Sequence, residues 1–220
     1  MKTQKEKKWQ YGGAIDRYPI EAGQVWSLPN GSALCVADIT EKTPELLRKA
    51  DLLFIDPPWN IGNLNSFITK ADRNDYRRCF DAFLASLFSC IRDIAPQTCY
   101  MEMGKQHLAD AITMMRRIFP KVTFYNSSYY HKKNNICYIV RGSQKSKKNH
   151  YDFLDEEIII EQVCKDEEYN VIGDLCMGRG LVGLNAYANG KTFVGCDINP
   201  KRLAVLIEKL ANQGETWITK

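Results

Sequence analysis

The sequence predicts an α/β fold: a doubly wound, mainly parallel sheet of seven strands covered by helices, with one antiparallel pairing. Three observations lead there. Strand-like apolar runs alternate with helix-like segments along the chain. A glycine-rich turn joins one such run to a helix near the C-terminal end. Val122-Thr123-Phe124-Tyr125 and Cys137-Tyr138-Ile139-Val140 read as two paired strands. Strands are expected at 33–37, 51–56, 97–102, 121–129, 135–141, 170–175 and 192–197. Helices are expected at about 43–49, 75–94, 105–118, 153–165, 180–189 and 199–211, the second on the spacing of Tyr76, Phe80, Phe83, Leu84, Leu87, Phe88 and Ile91. Residues 62–73, polar and Gly/Asn-rich, read as a mobile loop or a plain connector. Residues 1–23 form a basic arm of poor periodicity, and 24–220 form a single domain.

The strand Leu52-Leu53-Phe54-Ile55 runs into Asp56-Pro57-Pro58-Trp59. Proline fixes its own φ and restricts the residue before it, so the step holds the Asp56 carboxylate and the Pro57 carbonyl at a set separation. Two fixed acceptors suit one amino group. An exocyclic amine on a nucleobase has its lone pair conjugated into the ring, and hydrogen bonds from both N–H groups draw that pair back onto nitrogen. The gain is orientation and electrostatics. Trp59 supplies a plate for the base, a contact worth roughly 1–3 kcal/mol in nucleic-acid sites.

The second motif lies downstream. Val171-Ile172-Gly173-Asp174-Leu175-Cys176 reads as a strand, Gly178-Arg179-Gly180-Leu181-Val182-Gly183 opens a helix, and the next strand ends in Asp197 followed by Ile198. This is G-x-G-x-x-G between strand and helix, with an acid placed to bind a nucleotide ribose. The pattern suits a nicotinamide dinucleotide as well as S-adenosylmethionine. Asp174 favours the latter, because a carboxylate before the turn faces a ligand ammonium well and a pyrophosphate badly.

On these motifs the chain resembles the permuted DNA adenine-N6 amino-methyltransferases, in which the catalytic motif precedes the cofactor motif. The resemblance covers Ser32 to about Ala211 and divides the domain into a catalytic half, about 32–141, and a cofactor half, about 152–211. It implies a Rossmann-like methyltransferase sheet of permuted motif order, catalysis by Asp56, Pro57, Pro58 and Trp59, and S-adenosylmethionine as cofactor. Asp174, Cys176, Gly178, Gly180, Asp197 and Ile198 then bind the cofactor, and Asp38 of Ala37-Asp38-Ile39 contacts its adenine. Leu175-Cys176 departs from the family's Pro-Phe. The large target-recognition domain often inserted between the halves is replaced by Arg141 to Tyr151 alone. Asp rather than Ser at the head of the tetrapeptide leans toward adenine N6 over cytosine N4.

Charge is distributed unevenly. Residues 111–151 contain no acid but carry Arg116, Arg117, Lys121, Lys132, Lys133, Arg141, Lys145, Lys147 and Lys148, whereas 152–168 carry eight acids. Lys132, Lys133, Lys145, Lys147 and Lys148 are the expected phosphate contacts, with Tyr129 and Tyr130 able to stack on an unpaired base. DNA is the expected partner; RNA stays open, as do a homodimer, a partner subunit and a non-catalytic role.

With 220 residues and 45% apolar content, the chain can bury a full core without disulfides or metal. Eight cysteines form no C-x-x-C pair and histidines number three, so no metal site and a reducing, cytoplasmic setting are expected. No run of eighteen apolar residues occurs, and no membrane association is expected.

Overall fold

The computed structural model describes residues 8–73 and 79–219. All seven expected strands form: β2 (Ala33–Val36), β3 (Leu52–Ile55), β4 (Thr98–Met103), β5 (Lys121–Tyr129), β6 (Lys132–Ser143), β8 (Val171–Asp174) and β9 (Thr192–Asp197). Three short strands join them, β1 (Val25–Ser27), β7 (Leu154–Asp155) and β10 (Ile218–Thr219). The sheet is therefore ten-stranded, not seven-stranded, in the order β10-β1-β2-β9-β8-β3-β4-β6-β5-β7. The single antiparallel pairing expected is also corrected. Four occur among the described strands: β1 with β10, β1 with β2, β4 with β6 and β5 with β6. The extra strands are two or three residues long, too short to leave an apolar period in the sequence. The central block β2-β9-β8-β3-β4 is parallel throughout.

The helices are α1 (Ala14–Arg17), α2 (Ile61–Lys70), α3 (Phe80–Ile94), α4 (Leu108–Arg116), α5 (Glu156–Asp166), α6 (Leu181–Ala188) and α7 (Pro200–Ala211). Glu45–Lys49, expected as a helix, forms a 3-10 segment. The start of the helix expected from 75 lies partly outside the described residues. Alternation along the strands sorts side chains onto the two sheet faces. Leu53, Ile55, Cys99 and Met101 pack with α3 and α4. Leu52, Phe54, Tyr100 and Ile172 pack with α5, α6 and α7. Strands buried on both faces need partners for every polar group at their ends. Asp51 supplies some, its carboxylate accepting from the backbone N–H groups of Asn170 and Val171 and so stapling β3 to β8.

Most of 62–73 is not a loop: residues up to Lys70 belong to α2, and a short turn follows. Asn60 caps α2 by accepting from Asn63 N, and Leu64 and Ile68, one turn apart, are buried. The described part of the N-terminal arm packs on α7, where Arg17 pairs with Glu208 and Ala14 is fully buried. Among the described residues, no helix is long and apolar enough to cross a membrane.

Candidate active site

The parallel block aligns carboxylates at the carboxyl ends of adjacent strands: Asp38 beyond β2, Asp197 ending β9, Asp174 ending β8, Asp56 after β3 and Glu102 next to last in β4. This is the crevice where open α/β sheets take ligands. Burial is the largest influence on Asp174, Asp197 and Glu102, holding each above the ordinary carboxylate range. Neighbouring charge adds to it, Asp56 raising both Asp174 and Glu102.

The cofactor-type residues converge. A cavity of about 490 Å³ is lined by Asp56, Asp174, Cys176, Gly178 and Arg179. A tighter pocket of about 60 Å³ beside it is lined by Asp38, Cys176, Asp197 and Ile198, with Phe67 and Arg202. Asp197 is held by two backbone N–H groups, Gly178 N at 2.7 Å on Oδ2 and Asn199 N at 2.8 Å on Oδ1. Asp174 Oδ1 accepts from Cys176 N at 3.0 Å. Asp38 accepts from the N–H and hydroxyl of Thr40 and faces Arg73 at 3.8 Å. Gly180, at φ 78°, does not line either cavity. A Cβ there would lie 2.9 Å from Leu206 Cβ, so its role is to let α6 close on α7. Burial pushes the thiols of Cys176 and Cys196 well up, leaving both neutral.

The tetrapeptide opens on a cavity of about 380 Å³ lined by Asp56, Pro57, Trp59, Glu102, Tyr129, Tyr130 and Glu156. Trp59 Nε1 donates to Asp56 Oδ1 at 3.3 Å, and the indole packs against Gly104, where a Cβ would come within 3.0 Å of its ring. Tyr129 meets Trp59 edge-on at 5.1 Å, and Tyr130, 67% exposed, meets Tyr129 at 5.2 Å. Burial pushes Asp56 up to about 6, opposed by the Trp59 hydrogen bond and the Arg202 charge. Dense packing around Asp56 and the accessibility of its side chain pull in opposite directions. Water in the open cleft softens the push, and a base filling the cleft restores it.

The basic residues divide into two groups. Lys132 and Lys133 lie on the β5–β6 hairpin at the catalytic end, beside Tyr129 and Tyr130. Ser143 pairs with Thr98 at the opposite, amino end of β4, so Lys145, Lys147 and Lys148 follow away from Asp56. Lys147 pairs with Glu167 at 3.1 Å. Arg141, in the acid-free stretch, is 4% exposed and donates to Tyr100 Oη and Ser143 Oγ.

Sequence reasoning missed Phe67, Glu102, Glu156 and Arg202. Arg202 follows Asp197 by five residues in the first turn of α7, a position that signals proximity to the strand end. Glu102, an acid inside the apolar run of β4, is the visible signal of a buried carboxylate at the cleft. Among the described residues, no group of three or more His, Cys, Asp or Glu is placed to hold a metal ion.

No family model matches the chain, and no curated protein matches its sequence. Solved structures match its fold. A Thermus thermophilus protein, TTHA0409, named provisionally as a DNA modification methylase and complexed with S-adenosyl-L-methionine, is 14% identical with a TM-score of 0.58, covering 82% of this chain and 95% of its own. M1.HpyAVI is 14% identical with a TM-score of 0.53, covering 80% and 97%. The PvuII DNA methyltransferase, cytosine-N4-specific, is 12% identical with a TM-score of 0.52, covering 85% and 92%. The mixed, mostly parallel sheet is thus the Rossmann-like fold that DNA methyltransferases use.

Proposed function

We propose that this protein is an S-adenosylmethionine-dependent methyltransferase acting on the N6 amino group of adenine in DNA, of the permuted motif order. One observation carries the reading: Asp56 of the tetrapeptide and Asp174 and Gly178 of the glycine turn line one cavity. The neighbours are consistent with it, one of them named provisionally as a DNA modification methylase and complexed with S-adenosyl-L-methionine.

The residues present suit that cofactor. Asp197 spends one lone pair of each oxygen on a backbone N–H and keeps others for ribose hydroxyls. Asp174 offers a carboxylate to the ammonium, while Asp38, Cys176 and Ile198 wall the adenosine side. When bound, the cofactor supplies an electrophilic methyl group on its sulfonium. Asp56 and the Pro57 carbonyl accept from the two amino hydrogens and orient the nitrogen lone pair; Pro58 stiffens the turn. Trp59 clamps one face of the extruded base, with Tyr129 and Tyr130 at the mouth and Lys132 and Lys133 toward the phosphates.

Adenine is favoured over cytosine by Asp rather than Ser at position 56. An RNA adenine methyltransferase would use the same site. Nucleoside mass spectrometry on DNA and RNA from a methylation-deficient host expressing the chain, beside Asp56→Ala, separates these readings. N6-methyladenine in DNA that disappears in the variant is expected, with cofactor binding by the variant nearly unchanged. Methylated RNA alone, N4-methylcytosine, or no product in either pool would overturn it.

A further inference from the structure

The base cavity contains an acceptor-donor group that catalysis by the tetrapeptide leaves unused. Glu156, the first residue of α5, is 7% exposed and lines the same cavity as Asp56, Trp59 and Tyr130. Its Oε1 accepts from Tyr130 N at 3.2 Å. Its Oε2 is buried and has no partner among the described residues. A buried oxygen of this kind ordinarily finds a partner, and leaving the bond unmade is costly. The cavity leaves room for a ligand atom as that partner.

We propose that Glu156 is a specificity-determining residue that donates an O–H from Oε2 to the unprotonated ring nitrogen beside the reacting amine, reading the base while Asp56 and Pro57 hold the amine. The inference rests on the function proposed above. A neutral carboxyl offers one O–H donor, and adenine presents an acceptor nitrogen on each side of its amino-bearing carbon, N1 and N7. On its Watson–Crick edge guanine presents the N1–H donor beside its amine, which the same group would reject, whereas cytosine N3 is an acceptor like adenine N1. At that edge the contact separates adenine from guanine and leaves cytosine to be excluded by the fit of the purine.

The surroundings of Glu156 favour its neutral form. Burial is the chief cause that pushes its carboxyl up to about 7, with Asp155 and Glu157 of its own segment adding to it and the Tyr130 N–H opposing. Glu102, itself buried and held above the carboxylate range, faces it from β4, with Asp56 beyond. His131 of the hairpin is engaged elsewhere, contacting Asp155 at 3.2 Å and Glu157 at 3.3 Å. No cation among these contacts is directed at Glu156 itself.

The test is a cycle between protein and base. Methyl transfer by wild type, Glu156→Gln and Glu156→Leu is measured on oligonucleotides carrying adenine, 1-deazaadenine or 7-deazaadenine at the target. For one of the two deaza bases, wild type and Glu156→Gln should lose roughly tenfold in kcat/KM relative to adenine, and Glu156→Leu should show no such loss. The wild-type rate should also fall as pH rises through about 7, and that limb should vanish in Glu156→Gln, whose amide donates at every pH. Should Glu156→Leu fail to fold, the alkaline limb decides alone. Equal deaza penalties in wild type and Glu156→Leu, or an alkaline limb retained by Glu156→Gln, would overturn the inference while leaving adenine methylation standing. A wild type that methylates no adenine at all would overturn both.

Discussion

Arg202 lies over the ring of Phe67, its guanidinium carbon 4.4 Å from the centroid, and so joins α7 to α2 across the pocket that contains Asp38 and Asp197. The same guanidinium receives a hydrogen-bond partner in Tyr11 Oη at 3.2 Å and feels the charges of Asp197 and Asp56. Asn199 Nδ2 adds a second tie between these elements by donating to Lys70 O at 3.2 Å. One arginine therefore neutralises the floor of the pocket and fastens its cover.

If the pocket takes S-adenosylmethionine as proposed, Arg202→Ala should weaken its binding about tenfold, since a partly desolvated cation–π contact is worth about 1–2 kcal/mol and Asp197 loses the charge of Arg202. Titration calorimetry on the full chain measures it. Unchanged affinity would mean that α2 is held by Leu64 and Ile68 alone.

Under the proposed mechanism the Asp56 carboxyl sets an acid limit on transfer. With its value pushed up to about 6, the group is protonated below that pH and loses one of the acceptors that orient the amine. The rate should therefore fall about tenfold per pH unit below about 6 and level off above it on this limb. Arg202 lowers Asp56, so Arg202→Ala should move the limb upward. A pH–rate profile of the two proteins under single-turnover conditions gives both readouts.

Gly104 leaves room for the plate. A Cβ there would lie 3.0 Å from Trp59 Cε3 and 3.3 Å from its Cβ, so Gly104→Ala must tilt or displace the indole. The expected result is a KM for DNA raised several-fold with stability nearly intact, because Gly104 has an ordinary negative φ. Steady-state kinetics beside a thermal melt separates the two effects.

Much of this arrangement was legible from residue order, for identifiable reasons. Asp174 and Asp197 each end a buried apolar strand and Asp56 directly follows one, and parallel strands in a doubly wound sheet bring such ends to one edge. What failed was anything needing the partner of a residue. Helix α2 was hidden because Gly62, Asn63 and Asn65 lower helix propensity, while its support comes from burial of Leu64 and Ile68 against distant segments. The acid-free stretch looked like one patch because its lysines are close in sequence. The β5–β6 hairpin sends Lys132 and Lys145 to opposite ends of the sheet, a separation fixed by antiparallel register. Glu156 reads as an ordinary acid in the first turn of a helix, and only the cavity beside it gives it a task.

Gly180 supplies a test of the glycine turn that does not touch the reacting groups. It sits at φ 78° as the residue before α6, where an alanine is strained whatever space it has. Its Cβ would also press on Leu206 Cδ2 at 2.5 Å and Cβ at 2.9 Å, and Leu206 is fully buried on α7. Strain and overpacking together should lower stability by about 2–4 kcal/mol in Gly180→Ala. Because α7 carries Arg202 and follows closely on Asp197, a shift of Leu206 should reach the pocket lined by Asp38 and Asp197 and weaken the proposed cofactor binding there as well. Chemical denaturation with and without S-adenosylmethionine checks both: the variant should unfold at lower denaturant and gain less from saturating cofactor. A variant as stable as the parent would mean that α6 and α7 can separate at this point without cost.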